Sequence, residues 1–366
     1  MFIAENLIKF LKSKRIDFFA GVPDSILKNF STCIRKKDKH IIAANEGNAV
    51  ALGIGYHLAT KKIPLVYMQN SGLGNAINPL ISIAHKKVYS IPILLLIGWR
   101  GYPKIKDEPQ HKATGKITTK LLKSLNIKYC VVRNTKDFKN LEKLILLSKK
   151  TNKPVACLVP PGFMKINKKK VINPKLENNK LTRFDFISSL LRELDRKTKI
   201  ISATGFTSRE LHKIRQDFKI YKGRDFYMVG GMGHATMVAA AHSMYFKNNT
   251  VCLDGDGSLI MHMGSLLAAG KHGSKRFKHI LLNNNSHESV GDQKTFINEI
   301  KLKQIIKGFN YKNYFLVKNK NNLKKFIKSF LNSSGPSFME VRIKNGSPNN
   351  LGRPKKLIKI KNKFMQ

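Results

Sequence analysis

The chain has 366 residues, 42% of them hydrophobic, with 68 basic residues against 22 acidic ones and a formal net charge of +46. That length suits two α/β domains, each with its own core. No stretch approaches the roughly 20 apolar residues that span a bilayer. The amphipathic N-terminus lacks a signal peptide's unbroken apolar core. The four cysteines form no CxxC and no close pair, which argues against zinc or thioredoxin chemistry and for reduced thiols in the cytoplasm.

So large a positive charge would suit nucleic acid. Yet 55 of the basic residues are lysine, in runs at 36–39, 116–128, 165–180, 318–328 and 355–363. They travel with Asn and Ile, and no helix-turn-helix or RNA-binding signature accompanies them. The excess therefore reads as compositional bias, and no nucleic-acid partner is expected. A basic surface would still draw an anionic substrate toward a cleft.

In chain order, Phe2 to Ser13 carries apolar residues at helical spacing. Phe18 to Ala20 reads as a strand feeding a turn, Gly21 to Ser25, that opens a helix with Asp24 or Ser25 near its N-cap. Strands are expected at 41–43, 64–68, 91–97, 129–132 and 155–159, with helices at 46–59 and 76–84. The stretch from Pro160 to Thr182 is polar and aperiodic. The rhythm restarts with a helix at 183–195, then strands at 200–202, 226–229, 250–253, 279–282 and 338–342, and helices at 237–245 and 261–270. Alternating strand, loop and helix predicts mainly parallel sheets flanked by helices. The expected organisation is a domain over 1–164, a linker over 165–182 and a second domain over 183–366.

The second domain carries the most specific pattern. Asp254-Gly255-Asp256-Gly257-Ser258 ends one apolar strand, and Asn283-Asn284-Asn285 ends another, with 25 residues between Gly257 and Asn283. Open α/β sheets bind ligands at the carboxyl ends of strands. A carboxylate beside amide oxygens suits a hard cation such as Mg²⁺, which takes oxygen ligands at about 2.1 Å. Glycines let a backbone approach a ligand closely, and amides at a helix N-terminus favour an anion.

This Gly-Asp-Gly…Asn-Asn spacing resembles that of the thiamine diphosphate-dependent enzymes. The resemblance implies Mg²⁺ held by Asp256, Asn284 and the carbonyl of Ser286, and a diphosphate cradle at Gly255, Asp256, Gly257 and Ser258. Tyr227 to Ala235 resembles the segment that holds the aminopyrimidine, with Met232 wedged between the cofactor's rings and the Gly230 carbonyl accepting from its amino group. Glu46, in Ala44-Asn45-Glu46-Gly47-Asn48-Ala49, resembles the glutamate that hydrogen-bonds the pyrimidine, and Ser71 to Ala76 resembles the loop beside it. The implied fold is two tandem thiamine diphosphate-binding domains, pyrimidine-binding then diphosphate-binding, with no middle domain. Glu46 and Asp256 fall in different domains, which in this family implies a homodimer or higher homo-oligomer with interfacial sites.

Several segments resemble the phosphonopyruvate decarboxylase branch more closely: Gly21 to Ser25, Ala44 to Ala51, Tyr67 to Asn75, Gly98 to Gly101, Asp107 to His111, Thr207 to Leu211 and His287 to Ser289. Sulfopyruvate decarboxylases share the first of these and are the alternative. The implied substrate is a small anionic 2-oxo acid. Ser25, Arg100, Arg209 and His287 are its candidate ligands. Asp24 suits either a proton relay or a helix cap. His111, expected in a polar loop, suits either a catalytic proton transfer or plain solvation. Asn285-Ser286 and Asp292 depart from the small residues expected there. A different class, a non-catalytic basic binding protein, is disfavoured by intact Glu46, Asp256 and Asn284.

Overall fold

The structure, a computed structural model, describes residues 1–34, 38–103, 105–166, 181–348 and 350–366. It divides into two compact units, Met1–Asn173 with Val290–Gln293, and Pro174–Ser289 with Lys294–Gln366.

The first unit is built on six strands: β1 Phe18–Gly21, β2 Lys39–Ile42, β3 Leu65–Gln69, β4 Leu94–Gly98, β5 Lys128–Val131 and β6 Val155–Val159. They lie in the order β2-β1-β3-β4-β6-β5 with every pairing parallel. Alternate residues of a strand pack into opposite cores. Leu65, Tyr67, Leu94 and Leu96 face one cluster, and Val66, Met68, Leu95 and Ile97 face the other. Burial on both faces explains the near-continuous apolar runs of these strands. The helices are α1 Ala4–Ser13, α2 Lys28–Cys33, α3 Glu46–Thr60, α4 Leu73–Pro79, α5 Pro109–Ser124 and α6 Phe138–Thr151.

The second unit repeats this plan. Its strands are β7 Lys199–Ser202, β8 Arg224–Tyr227, β9 Thr250–Gly255, β10 Phe277–Asn283, β11 Asn313–Val317 and β12 Ser337–Arg342. Their order, β8-β7-β9-β10-β12-β11, is the same permutation, again all parallel. The helices are α7 Arg183–Glu193, α8 Phe206–Asp217, α9 Ala235–Tyr245, α10 Asp256–Met261, α11 Ser265–His272, α12 Leu302–Gly308, α13 Leu323–Asn332 and α14 Leu357–Met365. In each sheet the first and third strands are neighbours whose connections leave in opposite directions. That is the switch point where doubly wound sheets open a crevice at the strands' carboxyl ends. The expected α/β class, with two tandem domains each built on a parallel sheet flanked by helices, is the observed one.

Local departures have local causes. The strand expected over 91–97 begins at Leu94, because Pro92 has no N–H to pair and Ser90 adopts a positive φ of 53°. The helix expected over 261–270 is broken: α10 ends at Met261 and α11 starts at Ser265. His111 is not in a loop. Pro109 at the first helical position, with its preset φ and no N–H to satisfy, starts α5, and His111 lies in its first turn. Of the linker expected over 165–182, residues 167–180 lie outside the described residues. At its edges, Met164–Lys165 pairs in parallel with Phe2–Ile3, and Thr182 caps α7 by accepting from the Asp185 amide.

Helix α5 packs backbone to backbone on the turn after β4. A Cβ on Gly115 would lie 2.0 Å from the Gly101 carbonyl oxygen, while Gly101 itself has φ +69°. Trp99 Nε1 donates to the Gly115 carbonyl at 3.1 Å, holding the helix there. Gly115→Ala is therefore expected to push α5 off this turn and cost about 1–3 kcal/mol, read as a lower urea midpoint at unchanged slope.

Candidate active site

In the first unit the candidate residues gather on loops that follow β1, β3 and β4 and at the start of α3. Asn45 caps α3, its side-chain oxygen accepting from the Asn48 amide at 2.9 Å. This sets Glu46 in the first turn, where it is buried. Asn75 Nδ2 donates to Glu46 Oε2 at 2.7 Å. The other oxygen, Oε1, lies over Gly72, where a Cβ would come within 2.2 Å of it. Only glycine at 72 leaves room for the carboxylate.

Asp24 is buried after β1. Gln69 Nε2 donates to its Oδ1 at 2.6 Å and the Leu27 amide to its Oδ2 at 3.1 Å. Burial raises its pKa above the ordinary carboxylate value, against these hydrogen bonds and the nearby charge of Arg100. Arg100 is engaged: Nε donates to Asp107 Oδ2 at 2.8 Å, Nη2 ion-pairs with Asp107 Oδ1, and Nη1 donates to Ser25 Oγ at 3.2 Å. Burial pulls the Asp107 carboxyl up, but Arg100 and the amides of Gly101 and Glu108 hold it well below the usual range. Asn70 ties this corner together, with Nδ2 donating to the Arg100 carbonyl and Thr118 Oγ1, and Oδ1 accepting from the Arg100 amide. The structure thus brings Asp24, Ser25 and Arg100 together.

In the second unit Asp256 opens α10 directly after β9. Its carboxylate accepts from the amides of Gly257 and Ser286 and from Thr295 Oγ1, each at 2.9 Å. Among the described residues no cationic side chain forms an ion pair with it. Asn284 Oδ1 accepts from the same Ser286 amide at 3.3 Å, so the two side-chain oxygens converge on one donor. The neighbouring Asn283 does a different job. Its Nδ2 donates to Glu340 Oε1 and Asn298 Oδ1, both at 2.9 Å, fixing the strand end.

The glycine loop before α9 closes on this turn. The Gly233 amide donates to Ser258 Oγ at 3.1 Å. A Cβ on Gly257 would lie 3.2 Å from the Met232 methyl and 2.6 Å from His287 Cε1, so Met232 and His287 both pack over Gly257. Burial lowers the His287 pKa to about 4, which keeps its imidazole neutral at pH 7. Gly255 has nothing within 4 Å of a built Cβ, so it needs to be glycine for no internal packing reason; close approach of a ligand supplies one. On α8, Arg209 donates to the carbonyls of Leu351 and Gly352 and stacks against Phe206. Nearby, the buried Cys252, Asp254 and His279 could face a metal, but Asp254 accepts from Thr236 Oγ1 and the Gly255 amide, and His279 Nδ1 bonds Tyr311 OH. Those bonds brace the glycine turn from behind.

Several contributors give little sequence signal. Asn75, Gln69 and Glu288 stand inside segments that carry the resemblance, without a role of their own there. Thr295 and Arg183 reach the site only through folding.

An acid and an amide oxygen sharing one donor, beside an open glycine, suit a hard cation and a diphosphate on a doubly wound α/β frame. The comparisons agree. Residues 1–131 match the thiamine pyrophosphate enzyme N-terminal TPP binding domain, and residues 204–341 match the C-terminal TPP binding domain. A phosphonopyruvate decarboxylase of Streptomyces viridochromogenes is 29% identical over 96% of this chain and 91% of its own. A sulfopyruvate decarboxylase of Methanosarcina acetivorans is 26% identical over 94% and 92%, and the sulfopyruvate decarboxylase subunit alpha of Methanococcus maripaludis is 37% identical over 34% and 74%. The chain belongs to the thiamine pyrophosphate enzymes and, within them, to the 2-oxo acid decarboxylases.

The Asp256 pKa is raised by burial to about 6 from 3.8. Unfolding then releases this proton between those values, so the group favours the fold most at low pH. Its contribution is lost as pH rises from about 4 through 6, by up to about 3 kcal/mol. Denaturant unfolding of the metal-free chain against Asp256→Asn across pH 4–8 should show that difference falling over this window and flat above it.

Proposed function

We propose that the enzyme decarboxylates 3-phosphonopyruvate to phosphonoacetaldehyde and CO₂, with thiamine diphosphate and Mg²⁺, in phosphonate (2-aminoethylphosphonate) biosynthesis in the cytoplasm. The observation that carries the substrate choice is the end-to-end similarity to phosphonopyruvate decarboxylases, 29% over 96% and 97% of this chain in two Streptomyces proteins.

In this reading Asp256 Oδ, Asn284 Oδ1 and the Ser286 carbonyl hold Mg²⁺. Gly255, Gly257 and Ser258 cradle the diphosphate, while Gly230 and Met232 set the pyrimidine and its bend. The cofactor, when bound, supplies an electron sink for the pair left as CO₂ departs. Glu46 would hydrogen-bond the pyrimidine ring nitrogen, its orientation fixed by Asn75 and Gly72. Asp24, whose pKa burial raises, is the candidate proton relay, with His111 as a second acid-base candidate. Ser25, Arg100 and His287 meet the anionic end of the substrate; Arg209 is committed to the backbone carbonyls of Leu351 and Gly352. Glu46 and Asp256 belong to different units, and we infer a homo-oligomer whose copies complete each other's sites.

Sulfopyruvate is the second reading, favoured by one observation: the Arg100–Asp107 pair leaves less positive charge at Ser25, which suits a sulfonate's single charge better than a phosphonate's two. Turnover of phosphonopyruvate, sulfopyruvate and pyruvate with both cofactors should show kcat/KM highest for phosphonopyruvate, by at least about tenfold, or 1.4 kcal/mol. A preference for sulfopyruvate reverses the assignment. Glu46→Gln should lower kcat by about 10²–10⁴ while thiamine diphosphate still binds, which equilibrium dialysis reads.

A further inference from the structure

The Asn284 amide has two chemically different ends. Its oxygen can ligate a cation, and its NH₂ group cannot. Nδ2 donates to Glu288 Oε2 at 2.9 Å, leaving Oδ1 at the Ser286 amide that also serves Asp256. A carboxylate can only accept, so Glu288 selects which end of Asn284 faces Asp256.

Glu288 is itself anchored. Its Oε2 also accepts from Arg183 Nη2 at 2.7 Å, and its Oε1 accepts from the Gly346 amide at 2.7 Å. Arg183, at the start of α7, pairs through Nη1 with Glu210 Oε1 at 2.7 Å, with side chains 7% and 0% exposed. Ser347 Oγ donates to the same Glu210 oxygen at 2.6 Å, and Glu210 Oε2 is buried with no hydrogen-bond partner among the described residues. Buried ion clusters rarely add net stability over apolar packing, so stability is a poor explanation for this one. Two carboxylates face one guanidinium, and the carboxylate that touches Asn284 is the one this arrangement holds still.

We propose that Glu288 and Arg183 are positioning residues for the divalent cation: they lock the Asn284 amide with its oxygen toward Asp256. This rests on the reading of Asp256 and Asn284 as cation ligands. Arg183 precedes the matched C-terminal family region, and its role follows from geometry alone.

The test is Mn²⁺ binding to the full chain with thiamine diphosphate, followed by loss of the free-Mn²⁺ paramagnetic resonance signal. Glu288→Gln, nearly isosteric, should weaken Mn²⁺ at least about tenfold, because the introduced amide tolerates either orientation of Asn284. Arg183→Lys, which keeps the charge but not the fork, should weaken it less. In an Asn284→Asp background both ends are oxygens and the orientation no longer matters. There Glu288→Gln should tighten binding, since the introduced amide can donate to the introduced carboxylate and relieves the clash of two acids. A role limited to folding would weaken Mn²⁺ in both backgrounds, and that result, or unchanged affinity in the first, overturns the proposal. If Glu288→Gln alone fails to fold, the comparison within the Asn284→Asp background decides by the same sign. Wild-type chain that binds no Mn²⁺ with the cofactor, or Asp256→Ala that binds it normally, fails the cation reading itself and takes this inference with it.

Discussion

A buried carboxylate with no cationic partner among the described residues organises the second unit. Asp256 accepts hydrogen bonds from two amides and one hydroxyl, and burial raises its pKa against those donors and the charge of Arg183. A divalent cation would supply the missing charge. The elements around it bring oxygen atoms together at one point. The strand ends at Gly255, the helix begins at Asp256, and the Asn284 turn brings a second oxygen to the same amide.

The first unit solves a different problem with the same sheet. Its loops at the corresponding strand ends carry Asp24 and Glu46, two buried acids with polar but uncharged partners in direct contact, Gln69 and Asn75. Neither carboxyl group is tied to a cation in a direct ion pair among the described residues. Arg100 shows the contrast: its partner Asp107 is a fixed anion and serves to hold a loop. One strand permutation, used twice, thus serves in the proposed function for proton chemistry in one unit and cation binding in the other.

Much of this is legible in the sequence because it depends on local pattern. Buried parallel strands read as apolar runs, and the Gly-Asp-Gly end of β9 and the Asn-Asn end of β10 read as a spaced motif. What escapes is non-local or helix-forming against composition. Helix α5 is polar and lysine-rich, so its start at Pro109 reads as a loop. Helix α8, with Arg209, Glu210 and Arg215, carries its buried apolar residues in a thin stripe at Leu211 and Ile214. Thr295 and Arg183 belong to no spaced motif and join Asp256 and Asn284 through the fold, so the sequence pattern does not name them. The fate of Arg209, tied to the carbonyls of Leu351 and Gly352, is likewise set by a distant loop.

Crystals grown with thiamine diphosphate and Mn²⁺ test the central claim most directly. The anomalous difference map should place one Mn²⁺ at about 2.1–2.2 Å from an Asp256 carboxylate oxygen and from Asn284 Oδ1. A Mn²⁺ peak elsewhere, or Asn284 with its nitrogen turned toward the metal, would contradict it.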